Sequence, residues 1–324
     1  AGDYGVWGII SSYMGIFISI YTLGLHMHLN NSYYEYGDKY RVVWGRILYL
    51  LLLLSTLFSC ILFFIIWKTF DDLDFDNRII LAVLSVFSLQ FNANNLIGQC
   101  LYTLRGTPVP FVSRTLMGGL IGVTTAFISI RYFKIGYLGF VLGSAFNYLF
   151  CFFSFIYPLW LKEKFYPRIE ISGIRILRLL KISLPVVPHA LGFILLSSSS
   201  RIIMDLYGVP IADIGIYSNG YILGDYITIV TTALASALTP YMQTTFRNEN
   251  YQSYRFLFIL CQSIALISIF IFCLWMPEIY SVLIKNKSLQ ESMMISQISC
   301  FANCIFPLYI FMSNVCFIRK NTVQ

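Results

Sequence analysis

Residues 46–67 read RILYLLLLLSTLFSCILFFIIW, and between Arg46 and Lys68 no charged side chain interrupts the run. A helix rises about 1.5 Å per residue, so a stretch of this length crosses the roughly 30 Å hydrocarbon core of a bilayer. Similar apolar runs recur along the 324-residue chain, at about 6–29, 79–101, 109–130, 135–158, 182–206, 211–241, 254–276 and 295–318. The reading is an all-α polytopic membrane protein with nine transmembrane helices. Composition agrees, with 58% hydrophobic and 17% aromatic residues against 11% charged. In lipid the backbone must satisfy its own polar groups and charges are costly, which excludes a water-soluble fold. The runs are also far too long for barrel strands.

Lys and Arg set the orientation. If the first span runs from outside to inside, fifteen cations from Lys39 to Lys320 fall on inner connectors. Six fall outside (Lys68, Arg78, Arg131, Lys134, Lys285 and Lys287), beside the acidic run Asp71, Asp72, Asp74 and Asp76, and Arg201 lies within a span. The net charge of +7 is thus an orientation signal, and no nucleic-acid partner is read from it. No signal-peptide pattern precedes the first span. Ala1 in place of Met, with an odd number of crossings starting outside, leads us to expect a fragment of a longer protein.

Asp3-Tyr4-Gly5-Val6-Trp7 opens the first span and Asp213-Ile214-Gly215-Ile216-Tyr217 the seventh, 210 residues and six crossings later. Halves six crossings apart share an orientation, so their repeat axis would lie along the membrane normal, as in transporters that rock one half against the other. The expected division is an N-terminal helix bundle at 1–158, a cytoplasmic linker at 159–181 and a C-terminal bundle at 182–324. In the linker, Ser172 is a reasonable N-cap. After it Ile174, Leu177 and Leu180 fall on one side and Arg175, Arg178 and Lys181 on another. That pattern reads as an amphipathic helix on the inner leaflet, or as a basic stop to the next span.

Several short motifs carry a resemblance in order and spacing. Tyr4-Gly5-Val6-Trp7, Leu23-Gly24-Leu25, Leu184-Pro185-Val186-Val187-Pro188-His189, Ser200-Arg201-Ile202-Ile203 and Gly215-Ile216-Tyr217-Ser218 resemble polysaccharide repeat-unit (O-antigen) flippases of the Wzx type. These belong to the superfamily of multidrug, oligosaccharidyl-lipid and polysaccharide exporters. The resemblance implies two six-helix bundles around a central cavity, of which this chain lacks about the first helix and the last two. It also implies transport of undecaprenyl-diphosphate-linked oligosaccharide across the bacterial inner membrane, by alternating access and without cofactors. Relatives carry an Asp-Arg pair where Ser200 precedes Arg201 here, so an acidic role at this level would fall to Asp205, one turn on.

Candidate groove residues also follow from spacing alone. Ser218, Tyr221, Asp225, Thr228, Thr232 and Thr239 stack as one polar stripe on a helix face. Asp225, near mid-membrane, is a candidate for proton or sodium coupling, or for a helix-to-helix hydrogen bond with Arg201 as one partner. Arg201, with Asp205 one turn on as a second coupling candidate and Ser197 on the same face, can hold a diphosphate through paired charge-assisted bonds, or snorkel to the outer headgroups. His189, between prolines and the apolar run, marks a kink lining a cavity or a packed polar residue. Asn92, Asn95 and Gln99 share a face in the third span, where amides either bind sugar hydroxyls or join helices. His26 sits at the inner interface, within reach of an entering diphosphate or simply at headgroup level.

The many Tyr and Trp suit interfacial belts. Cys300 and Cys304 lie four apart without metal-ligand spacing, and phosphate-loop, esterase, zinc-protease and dinucleotide motifs are all missing. The reading is therefore a non-enzymatic carrier whose partners are a lipid-linked oligosaccharide, membrane lipids and a glycan polymerase. A membrane polymerase or ligase is the competing class, but such enzymes place Arg or His on a large outer loop, and residues 277–294 hold neither. A drug or cation exporter of the same fold differs chiefly in its cavity.

Overall fold

The computed structural model describes residues 1–169, 179–181, 183–184 and 187–318, although a few helical side chains, including those of His189 and Thr239, lie outside the description. The surface helix expected after Ser172 falls almost wholly outside it as well. The described elements are helical. Among them, seven runs are long and apolar enough to cross a membrane: Gly2–Tyr21, Tyr40–Thr69, Phe75–Leu104, Val109–Arg131, Tyr137–Lys162, Tyr251–Leu274 and Lys287–Met312. The expected spans at 182–206 and 211–241 include residues that are not fully described. Large apolar side chains face outward on several of these helices, Phe64, Val123 and Phe270 each by more than half. Such a surface suits contact with lipid.

The helices pack as two compact units. The first covers Val6–Val209. It contains most of α1 (Gly2–Tyr21), then α2 (Leu25–Glu35), α3 (Tyr40–Thr69), α4 (Phe75–Gln90), α5 (Ala93–Leu104), α6 (Val109–Arg131), α7 (Tyr137–Phe155) and α8 (Val187–Leu206). Its tightest pair is α6 with α7, both of which carry glycines four residues apart. A Cβ on Gly122 would stand 2.9 Å from Gly143 O, and one on Gly143 would stand 2.5 Å from Gly122 O. The two backbones therefore touch directly. In lipid, where apolar side chains gain nothing by leaving the solvent, such close approach is what drives helices together.

Three continuous spans of the sequence reading are broken. The first bends between α1 and α2, where Leu23 (φ 44°) and Gly24 (φ 70°) both adopt left-handed backbone. Gly24 suits this, since a Cβ there would meet Ser183 O at 2.5 Å. The third parts at Phe91–Asn92, where an amide-rich segment competes with the helix ladder and Asn92 N–H turns to Leu89 O. Asn94 fixes the break, donating to Phe152 O at 3.1 Å and accepting from Trp160 Nε1 at 3.0 Å. In the second unit, the seventh span parts at Tyr226.

After α7 the chain widens into a π-helical turn, Ile156–Lys162. Pro158 lacks an N–H, and Glu163 N–H donates to Pro158 O five residues back at 3.1 Å. The turn delivers Glu163 to a junction whose aromatic floor is Tyr33, Tyr40, Trp44 and Phe165. Trp44 Nε1 is satisfied by Ser32 Oγ at 3.0 Å.

The second unit combines Ala1–Gly5 with Pro210–Gln324. It holds α9 (Ile211–Asp225), α10 (Ile227–Arg247), α11 (Tyr251–Leu274), α12 (Met276–Leu283), α13 (Lys287–Gln290), α14 (Met293–Ala302) and α15 (Phe306–Ile318). α9 and α14 pack backbone to backbone, for Cβ atoms on Gly220 and Gly224 would meet Ser292 O at 2.6 Å and Ser296 O at 2.3 Å. Here too the two repeat segments meet each other. A Cβ on Gly5 would collide with Ile211 O at 2.0 Å, and one on Gly215 with Ala1 O at 2.1 Å.

Candidate functional site

Arg201 and Glu163 are the charged side chains buried in the first unit among the described residues. Arg201 is 6% exposed, and its Nη1 donates to Ser12 Oγ on α1 at 3.2 Å. Ser12, itself fully buried, donates onward to Gly8 O at 2.8 Å, which polarises its oxygen as an acceptor. A guanidinium that is 6% exposed has not snorkelled into headgroups. Desolvating it is costly unless its donors are met, so this position holds a cation where one is expensive. Ser198 Oγ lies 3.8 Å from where a Cβ on Gly15 would stand, which keeps α8 close to α1. Asp205, one turn from Arg201, is half-buried.

The other sequence-derived positions divide between the units. Asn92 and Asn95 come together, with Asn95 Nδ2 donating to Asn92 Oδ1 at 3.5 Å, whereas Gln99 on the same face is exposed. Asn92 is buried at the helix break, and Asn95 Oδ1 has no hydrogen-bond partner among the described residues. His26 is half-buried in α2, just past the Leu23–Gly24 bend. The backbone of His189 lies in the first turn of α8, and its side chain is outside the description.

In the second unit Asp225 is the last residue of α9, directly before the break at Tyr226, and is half-buried. Its carbonyl accepts from Thr228 Oγ1 at 2.6 Å. Tyr221, one turn earlier, stacks on Tyr217 with ring centres 6.0 Å apart. The stripe grades in exposure: Ser218 is buried, Tyr221, Asp225 and Thr228 are half-buried, and Thr232 is exposed.

Spacing along the sequence missed a buried polar network beside this stripe. Asn219 Nδ2 donates to Ser292 Oγ at 2.8 Å, Ser292 Oγ pairs with Tyr280 Oη at 2.8 Å, and Ser296 Oγ donates to Gly220 O at 2.8 Å. It joins α9, α12 and α14 without net charge. Its trace in the sequence is the small-residue spacing of Ser292, Ser296 and Ser299 opposite Gly220 and Gly224.

A two-pronged ion pair lies outside the candidate spans. Arg105 grips Glu163 through both oxygens, Nη1 to Oε1 at 2.7 Å and Nη2 to Oε2 at 2.8 Å, and also donates to Tyr40 Oη at 3.2 Å. Arg41 approaches Glu163 at 3.8 Å. The Arg105 hydrogen bonds hold the Glu163 carboxyl below its usual range, and the same bonds raise the guanidinium. The junction ties the ends of three candidate spans together. Among the described residues no group of three or more His, Cys, Asp or Glu side chains could hold a metal ion.

The sequence matches the family described as "Polysaccharide biosynthesis protein" over residues 1–283. No curated protein matches it. Among solved structures, the chain is similar to an inward-facing multidrug resistance MATE family transporter of the MOP superfamily, with 13% identity and a TM-score of 0.65, covering 99% of this chain and 79% of that one. It is also similar to an outward-facing multidrug resistance MATE family transporter of that superfamily, at 12% identity and a TM-score of 0.57, covering 96% of this chain and 71% of the other. A MATE in the straight conformation gives 12% identity and 0.56, covering 97% and 71%. At such identities the likeness establishes the fold.

Proposed function

The chain belongs to the polysaccharide biosynthesis protein family, and on that premise we propose that it carries lipid-linked oligosaccharide across a membrane by alternating access. It is a multi-pass membrane protein with the fold of MATE-type exporters, and a bacterial inner membrane fits the family. The proposed cargo is a repeat unit on undecaprenyl diphosphate, moved from the inner to the outer leaflet for O-antigen, capsule or exopolysaccharide synthesis. A glycan polymerase would receive it. Halves at 1–158 and 182–324, joined by the 159–181 linker, would alternate around the cargo. No covalent chemistry is required, because the physical task is to shelter a glycan and a diphosphate from hydrocarbon while the lipid tail stays in it.

The observation that carries this reading is an exporter fold over 99% of a chain whose family makes polysaccharide. Arg201 supports the choice of an anionic cargo, since a guanidinium can hold a diphosphate through paired charge-assisted bonds. Asn92, Asn95, Gln99, His26, His189 and Tyr221 are the proposed glycan contacts, with Asp225 and Asp205 coupling an ion. The multidrug titles of the similar structures keep a drug or cation exporter as the second reading.

Complementation tests the reading. In the complete protein, Arg201→Ala and Asp225→Ala should each abolish surface polysaccharide while membrane protein levels stay unchanged. Normal polysaccharide in both variants removes these residues from the site. Drug resistance conferred by the intact protein, without any effect on polysaccharide, favours the second reading.

A further inference from the structure

Three candidate spans end beside Glu163: one begins at Tyr40, one stops within Phe75–Leu104 at its last residue, and one stops at Lys162. The junction therefore stands where hydrocarbon gives way to headgroups and water, whichever face of the membrane that is. Its charges do not balance. Glu163 feels Arg105, Arg41 and Lys162, three cations against one carboxylate, and Arg105 already occupies both carboxylate oxygens. Arg41 is left at 3.8 Å, too far for a hydrogen bond, with its side chain 45% exposed.

Residues 163–168 lie as a strap against the first turns of α3. Arg168 N–H donates to Gly45 O at 3.1 Å, and a Cβ on Gly45 would meet Tyr166 O at 2.4 Å and Arg168 Cγ at 3.3 Å. The strap is thus seated on bare backbone one turn after Arg41. Along it Glu163 and Phe165 are buried, whereas Lys164 and Tyr166 are exposed. Lys164 holds left-handed backbone (φ 61°), which is costly for a residue with a side chain and persists where the surroundings impose it. Ile169, just past the strap, is mostly exposed as well. Cations and apolar groups share this surface, and among the described residues none of Arg41, Lys162, Lys164 and Arg168 donates a side-chain hydrogen bond.

We propose that this surface binds an anionic phospholipid of the surrounding bilayer, with Arg41 and Arg168 holding its phosphate and Lys162 and Lys164 adding to the attraction. A guanidinium grips phosphate through parallel charge-assisted bonds. Basic pockets at the ends of membrane helices recognise anionic headgroups in the same way. The surplus of positive charge selects an anion, and Tyr166 and Ile169 select one that carries hydrocarbon. Bound lipid would hold the strap to α3 from outside, as the Glu163 pair holds it from within. The site lies wholly within the first unit, and it requires nothing of the cargo or of the carrier reading.

Native mass spectrometry of the complete protein in nonionic detergent, with equal amounts of phosphatidylglycerol and phosphatidylcholine added, reads the site directly. Phosphatidylglycerol should be retained in preference. Arg41→Ala and Arg168→Ala should each weaken its retention about fivefold, the worth of one basic residue at a membrane surface. Lys285→Ala, on a different connector, should leave it unchanged. Arg41→Gln keeps the side-chain length, should lose as much as Arg41→Ala, and serves if the alanine variants purify poorly. Equal retention of the two lipids, or retention within about twofold of wild type in both arginine variants, overturns the proposal. Displacement of the lipid by inorganic pyrophosphate also overturns it, making the site one for a free anion. An arginine-dependent preference for undecaprenyl diphosphate over phosphatidylglycerol overturns it too, making the site one for cargo.

Discussion

A carboxylate held through both oxygens behaves unlike a surface ion pair. The Glu163 side chain is only 11% exposed and Arg105 only 31%, so solvent screens their attraction weakly. Glu163→Gln should destabilise the protein by about 2 kcal/mol, the range for hydrogen bonds to charged groups. The pH dependence follows from the sign of the shift: the folded carboxyl lies below its unfolded value. Its stabilisation is therefore complete above the unfolded value of about 4.3 and disappears as pH falls through the lower folded one. Thermal unfolding should show a constant gap between wild type and Glu163→Gln from neutral pH down to about 5, closing below it; a gap that widens in acid would contradict the assignment. At this scale the sequence was partly legible. Its spacing singled out Arg201 and Asp225, but left open whether the guanidinium snorkels, because burial depends on the distant Ser12. Glu163 was not singled out by the sequence, since its partner stands 58 residues away.

Helices α6 and α7 show what holds an element in lipid. With Gly122 and Gly143 touching backbone to backbone, a leucine at either must push the pair apart along its whole length. Gly122→Leu and Gly143→Leu should each lower the yield of monodisperse protein in detergent. Gly119→Leu, at a position with nothing within 4 Å of a Cβ, should not. Equal losses in all three would point to helix propensity instead. Hydropathy located most of these elements but not their interruptions at Leu23–Gly24, Phe91–Asn92 and Tyr226. Averaging over about twenty residues blurs a break of one or two, and none of the three is marked by proline. The Asn92 break could have been noticed from its run of amides. The Tyr226 break had no local signal at all.

For the molecule as a whole, the charge asymmetry makes a prediction that needs no knowledge of cargo. Alkaline phosphatase fused after Asp72 should be active, being outside, and fused after Gly106 it should be inactive; the reverse pattern would invert the topology. The repeat was legible in five positions of sequence, and the fold follows it closely enough for the two copies to touch. The copies have nonetheless diverged where chemistry is proposed, for the position equivalent to Asp225 is Gly15. What each of Gly5 and Gly215 abuts is peptide oxygen, and no mutation can delete a peptide oxygen. An enlarged residue on one copy thus has no compensating replacement on the other, so descent from a duplicated ancestor would hold this pair fixed while other positions drifted apart.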